Sequence, residues 1–187
     1  QINISITNVS ALAEFKWNWN GTNYTFYNDS LVLMFNFDNV SAIGENATKA
    51  VDVSRYGNNG TFKGANEPRW NCTGGRYGCA LSFDGVNDWV NLSKSRGFNF
   101  GTNSFAITAW VNFAGLAGDQ NILAFYTTAN QALQFAWSTN VLTILGETST
   151  VLSTSGFSPT LNTWYHAAYV RNGNSWNIYV NGVSYAS

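Results

Sequence analysis

Acidic side chains are the first place to look for chemistry in this chain, and there are ten: Glu14, Asp29, Asp38, Glu45, Asp52, Glu67, Asp84, Asp88, Asp119 and Glu147. Retaining hydrolysis of a glycosidic bond needs two carboxyls about 5 Å apart, one to protonate the leaving oxygen and one to attack. No two glutamates lie near each other in sequence. The closest acidic pair, Asp84 and Asp88, sits in Asp-Gly-Val-Asn-Asp, a turn rather than a strand face. The single histidine, His166, follows Trp164 and Tyr165 with no nucleophile elbow around it. It reads as an ordinary strand histidine. These residue types and spacings predict a protein that is not an enzyme.

Oxygen ligands for a cation are better represented. Asp52, Ser54, Asn58 and Asn59 crowd one short stretch, and calcium takes six to eight such oxygens. The same residue types also build tight turns with no metal. An EF-hand is excluded, because Tyr56 and Lys63 fall at ligand positions.

Two cysteines, Cys72 and Cys79, enclose six residues, three of them glycine. A zinc site wants four ligands, which these two cannot supply with a histidine so distant. The spacing predicts a disulfide worth roughly 2–3 kcal/mol through loop entropy, and with it an oxidising compartment. The acceptor pattern for N-glycosylation, Asn-x-Ser/Thr, occurs ten times: at Asn3, Asn8, Asn20, Asn23, Asn28, Asn39, Asn46, Asn59, Asn71 and Asn91. Of 26 asparagines, 15 precede residue 94 and ten of those qualify, whereas none of the later 11 does. A sugar-bearing surface cannot form a tight interface, so close contacts are expected from the C-terminal half.

The totals predict a surface covered by Asn, Ser, Thr and Gly rather than by charge. Of 187 residues only 10% are charged, against a usual 25% or so, and the formal charge of −1 offers nothing to nucleic acid. Hydrophobic residues reach 45%, with 13 Phe, 9 Tyr and 8 Trp, enough for a sizeable core. The longest apolar run, residues 31–35, is far short of the 18 or more that a membrane helix needs. The first residue is Gln rather than Met, in keeping with a removed leader or with excision from a longer protein.

The elements that must carry these groups are strands. Ile2, Ile4 and Ile6 alternate with polar residues, as do Phe15, Trp17 and Trp19. Asn20-Gly21 predicts a turn, with Tyr24 and Phe26 returning. Residues 31–37 predict the next strand, and Phe105, Ile107, Ala109, Val111 and Phe113 share one face of another. A late hairpin is expected from residues 164–170 through Asn172-Gly173 to Trp176, Ile178 and Val180, with a second turn at Asn181-Gly182. Many short strands and no helical period predict an all-β antiparallel sandwich or barrel. A boundary is expected near residue 29, separating an N-terminal extended, glycosylated segment (1–29) from a sandwich (30–187).

Five segments in order carry a family resemblance: Leu-Val-Leu-Met-Phe-Asn-Phe-Asp at 31–38, Asp-Val-Ser-Arg-Tyr-Gly-Asn-Asn-Gly-Thr at 52–61, Gly-Gly-Arg-Tyr-Gly-Cys-Ala-Leu-Ser-Phe-Asp-Gly-Val-Asn-Asp-Trp-Val at 74–90, Phe-Ala-Ile-Thr-Ala-Trp-Val at 105–111, and Trp-Tyr-His at 164–166 with Ile-Tyr-Val-Asn-Gly at 178–182. From residue 31 onward the chain resembles the laminin-G-like branch of the concanavalin A-like lectin/glucanase superfamily. That resemblance implies a jelly-roll β-sandwich with an N-terminal extended strand segment. It implies a calcium site drawn from Asp52, Ser54, Asn58, Asp84 and Asp88. It also implies a recognition or adhesion module, with carbohydrate or a surface protein as partner, in a cell-surface protein of an archaeon or other microbe.

The family's pattern continues past its late hairpin with strands that have no counterpart before Ser187. Either the sequence is an excerpt or the gap is filled from elsewhere, with Ile2, Ile4 and Ile6 as a candidate filler strand that folds back in its own chain or inserts into a neighbour. Insertion into a neighbouring copy by strand exchange would make a filament subunit. A sugar-binding site would need exposed aromatics, for which Trp89, Tyr126, Trp137 and Trp176 are the candidates.

Overall fold

A computed structural model describes residues 14–19, 22–28, 30–64, 68–92, 97–98, 100–126, 131–146 and 150–186. Nearly all regular structure is antiparallel strand. The described residues contain no α-helix, only a 3-10 turn at Ser41–Ile43, and no helix long and apolar enough to cross a membrane. The chain divides into two compact units, residues 1–99 and 100–187.

In the first unit, β1 (Glu14–Trp19) pairs with β2 (Thr22–Asn28), so the expected N-terminal hairpin forms, with Trp19 opposite Thr22. β3 (Lys49–Ala50), β4 (Gly60–Lys63) and β7 (Trp89–Leu92) make a three-stranded sheet in that order. β5 (Arg69–Asn71) and β6 (Ala80–Ser82) make a separate pair. Gly60 is required by close approach, since a Cβ there would run into Val90 and the ring of Phe35.

The strand expected at 31–37 does not form; residues 31–40 belong to no strand. Their backbone groups are taken by side chains and by a loop instead of a ladder. The Met34 amide donates to Asp52, its carbonyl accepts from the Val53 amide, and the Val32 carbonyl accepts from Ser54 and Asn58 side chains. Phe37 and Asn39 then swing to φ of 54° and 55°, which no strand tolerates.

The second unit is a sandwich of two four-stranded sheets. One runs β12 (Thr150–Ser153), β11 (Val141–Gly146), β10 (Gln131–Ser138), β9 (Gln120–Tyr126). The other runs β15 (Val183–Ala186), β14 (Ser175–Val180), β13 (Trp164–Asn172), β8 (Phe105–Asn112). Strict alternation along β8 turns Phe105, Ile107 and Val111 inward and Ala106, Thr108 and Trp110 outward. Phe135, Trp137, Leu142 and Ile144 of the first sheet meet Ala167, Tyr169, Ile178 and Val180 of the second in one buried cluster. The late hairpin forms as expected. Asn181 and Gly182 both have positive φ, 49° and 81°, the twist that a two-residue hairpin turn requires. The preceding turn lies one residue further along than expected, at Gly173-Asn174, because Asn172 pairs with Ser175 at the end of the ladder.

Tyr169 is fully buried, and its hydroxyl has no hydrogen-bond partner among the described residues. Burial pushes its ionisation well above the ordinary tyrosine value, while the Arg171 charge pulls weakly the other way. A raised folded-state pKa contributes stability that is complete below pH 10 and is lost as pH climbs above it, because unfolded chains ionise there and folded ones do not. Urea titrations between pH 8 and 11 are expected to lose up to about 1.4 kcal/mol per pH unit above pH 10 from this residue. Tyr169→Phe should remove that slope and cost little at pH 7, since the hydroxyl it deletes is unsatisfied.

Candidate functional site

The loop rich in oxygen ligands closes on itself. Asp52 is buried at 4% exposure. Its Oδ1 accepts from the Met34 and Ser54 amides, both at 2.9 Å, and its Oδ2 accepts from Ser54 Oγ and the Asn58 amide, both at 2.7 Å. An ionised carboxylate offers about four acceptor positions, and all four are filled. Asn58, fully buried, uses its own Nδ2 to reach the Val32 carbonyl at 3.0 Å, and Asn59 Oδ1 accepts the Asp52 amide at 3.0 Å. Asp52, Ser54 and Asn58 thus form a cage of hydrogen bonds that ties residues 52–59 to residues 32–34.

Asp84 and Asp88 stand elsewhere. Asp88 precedes β7 where Trp89 faces Lys63, the far end of β4 from Asn58 and Gly60. The four residues of β4 alone separate the two groups by about 10 Å. Asp84 Oδ1 accepts from the Val86 and Asn87 amides at 2.8 and 3.3 Å, while Asp88 Oδ2 accepts the Asp84 amide at 2.9 Å. The turn folds round its own carboxylates. Asp88 Oδ1 is buried without a partner among the described residues, beside Gly64, where a Cβ would collide with it. The five expected calcium ligands therefore do not converge. The described residues hold no cluster of three or more His, Cys, Asp or Glu able to hold a metal ion, and the donor set with Asp52 at its centre does not fit calcium.

The disulfide expected between Cys72 and Cys79 is present. The Cys79 amide donates to Asp38 Oδ1 at 3.2 Å, pinning the closed loop to residue 38. Ile2, Ile4 and Ile6 lie outside the described residues, as do Asn3, Asn8 and Asn20, and the side chains of Asn23 and Asn28 are likewise not described. Asn39, Asn46, Asn71 and Asn91 are exposed, and Asn59 is half-buried.

Of the aromatic platforms expected from sequence, Trp137 is core at 2% exposure, and Trp176 lies stacked on Tyr169 with the Arg171 guanidinium over its outer face. The Tyr126 side chain is not described. Trp89 is half-exposed at 52%. Sequence reasoning passed over Trp110, which is 40% exposed on the outer face of the second unit. Its signal was available: it falls between Ala109 and Val111 on the polar phase of the β8 alternation, beside Thr108 and Asn112.

Register builds the surroundings of Trp110. β8 pairs with β13 so that Trp110 stands opposite His166, and the two rings lie 5.3 Å apart. Thr108 stands opposite Ala168, which in turn faces Tyr179 on β14, and Asn177 faces Val170. Asn181 fixes the end of this strand pair, accepting the His166 amide through Oδ1 and donating its own amide to the His166 carbonyl, both at 2.9 Å. Around Trp110 the face mixes aromatic and polar residues with Ala106, Ala168 and Val170, and has no Asp, Glu, Lys or Arg on the outward positions of these strands. Such a surface offers a ring face for stacking and hydroxyl, amide and imidazole groups for hydrogen bonds.

At the far side of the same unit, the edge strands β12 and β15 bound an open cleft lined by Leu152, Ser153, Ser155, Ser184, Tyr185 and Ala186. Val151 and Val183, on those edges, are exposed at 40% and 57%.

No curated protein and no solved structure matched the chain. A family profile did, over residues 84–187, covering the whole second unit and the turn and strand that begin at Asp84. The superfamily holds non-catalytic binding modules for carbohydrate or protein, typically extracellular, as well as glycosidases. With its antiparallel sheets and that match over more than half its length, the chain belongs to the laminin G group of the concanavalin A-like lectin/glucanases superfamily.

Proposed function

We propose that this chain is a non-catalytic, extracellular recognition module for adhesion, which takes a neutral carbohydrate against the outer face of β8, β13 and β14. The observation that carries this reading is Trp110, held at 40% exposure beside His166 on a face with no formal charge other than any on that imidazole. A pyranose presents an apolar face edged by hydroxyls, which suits one aromatic ring beside His166 with Thr108 on the same face of β8. The disulfide supports an oxidising, extracellular location.

A glycan array followed by calorimetry on the best hit tests the reading. Trp110→Ala is expected to raise Kd at least tenfold, about 1.4 kcal/mol, while leaving the melting temperature nearly unchanged because the ring is partly solvated. Trp89→Ala should leave affinity intact. An array with no hits, or a hit indifferent to Trp110, would sink the proposal.

A second reading is assembly by strand exchange, favoured by the open cleft between β12 and β15. Unpaired strand edges are templates for an incoming strand, and the alternation of Ile2, Ile4 and Ile6 supplies a complementary apolar face. Electron microscopy of the full chain would show filaments on this reading, and Ile4→Asp would leave monomers. Dispersed particles from the unsubstituted chain would end it.

A further inference from the structure

The glycosylation motifs among the described residues are alike in sequence and unlike in the fold. Two of them, Asn46-Ala47-Thr48 and Asn71-Cys72-Thr73, adopt the same local structure. Asn46 Oδ1 accepts from the Thr48 amide at 2.9 Å and from Thr48 Oγ1 at 3.0 Å. Asn71 Oδ1 accepts from the Thr73 amide and Thr73 Oγ1, both at 3.2 Å, and from the Gly74 amide at 2.8 Å. In each, the carboxamide oxygen is tied down by the residue two ahead and the asparagine is exposed. At Asn71 the nitrogen faces a glycine: a Cβ on Gly74 would come within 2.6 Å of Nδ2, so only the missing side chain keeps that approach open.

The two turns are neighbours. Trp70, the residue before Asn71, donates its indole N–H to the Asn46 carbonyl at 2.9 Å, and its ring is held by Phe37 and Phe62, with centroids 6.5 and 5.4 Å away. Asn59 is the opposite case. Its Oδ1 holds the amide of buried Asp52, its side chain is half-buried, and it belongs to the cage that fastens residues 32–34.

We propose that Asn46 and Asn71 carry a side-by-side pair of N-linked saccharides and that Asn59 stays bare. The co-reactant is a saccharide activated at its anomeric carbon as a lipid-linked phosphate or pyrophosphate. Asparagine Nδ2 bonds to that carbon and gives one proton to a base of the transferase. The bond from the anomeric carbon to phosphate oxygen breaks, and its electron pair leaves with the phosphate. The inference rests on the extracellular reading, which supplies the donor and the transferase. It assigns the Trp70 side of the first unit to glycan, and so closes that side to a protein partner.

Glycopeptide mass spectrometry of the full chain, secreted from a host that performs N-glycosylation, tests it. Occupancy is expected on most molecules at Asn46 and Asn71 and on few at Asn59. Thr48→Val should remove the glycan from Asn46 alone, and Thr73→Val from Asn71 alone, with Thr48→Ser and Thr73→Ser retaining it. Bare Asn46 and Asn71 on a chain glycosylated at other motifs would overturn this assignment and spare the extracellular reading. A chain bare at all ten motifs would overturn both. Full occupancy at Asn59 would overturn the claim that the cage excludes a glycan.

Discussion

Asp52→Ala is expected to destabilise the protein by about 3–5 kcal/mol, the range for removing one member of a buried, charge-assisted network. The substitution strips acceptors from three backbone amides, those of Met34, Ser54 and Asn58, and from the Ser54 hydroxyl. The Asn58 amide is buried and the other donors are part-buried, so the penalty of leaving them unpaired is largest at Asn58. Asp52→Asn keeps the shape but turns one acceptor into a donor facing other donors, and should cost about half as much. Equilibrium urea unfolding reads the totals. Hydrogen exchange at the Met34 and Asn58 amides localises the loss: both should become unprotected while β10 and β13 keep their protection. A cost below 1 kcal/mol would show that the loop is held by something other than this carboxylate. Added calcium should not restore Asp52→Ala or stabilise the native chain through Asp52, because that carboxylate has no acceptor position left.

Trp137→Ala carries the other large effect, again about 3–5 kcal/mol. Trp137 is 2% exposed, lies 5.6 Å from the Phe113 ring and 6.3 Å edge-on from Phe157, and reaches the Leu116 carbonyl with its indole N–H at 3.4 Å. No neighbour is placed to refill so large a hole, since Phe113 and Phe157 are anchored in loops that flank the sandwich. Domains of this size have some 5–15 kcal/mol in all, so the variant should bind the dye ANS and unfold at markedly lower urea. Trp176→Ala should cost less, because that ring is only half-buried and lies at the margin of the cluster.

Much of the sandwich was legible from periodicity. The inward and outward phases of β8 follow directly from alternating residues, and Asn181-Gly182 marks a turn that only residues tolerant of positive φ can make. Those are local signals. The failures were long-range. Residues 31–37 look like a strand because Leu31, Leu33, Phe35 and Phe37 alternate, but the backbone groups of Val32 and Met34 bond to side chains and one amide 18 to 26 residues away, and no local pattern encodes that. The loop at 52–59 looked like a cation site for a related reason: the oxygen-rich residues that would bind a metal are the ones that bind backbone amides. Only the family resemblance groups Asp84 and Asp88 with it, and the pairing of β4 with β7 puts them at the other end of a strand. Glu45, buried at 3% and accepting from the Val40 and Val51 amides, carried no sequence signal at all.

The order of strands in the second unit has a kinetic side. β9 to β12 follow one another as a meander, and β13 to β15 do the same, so each can form from neighbouring stretches of chain. β8 is the exception: it waits for β13, and their paired residues, from Trp164 with Asn112 to Arg171 with Phe105, are 52 to 66 positions apart. Closing that interval costs chain entropy before any contact rewards it. The joining of β8 to β13 is thus the described pairing of this unit with the largest loop to close, and Trp110 and His166 come face to face only when it is over.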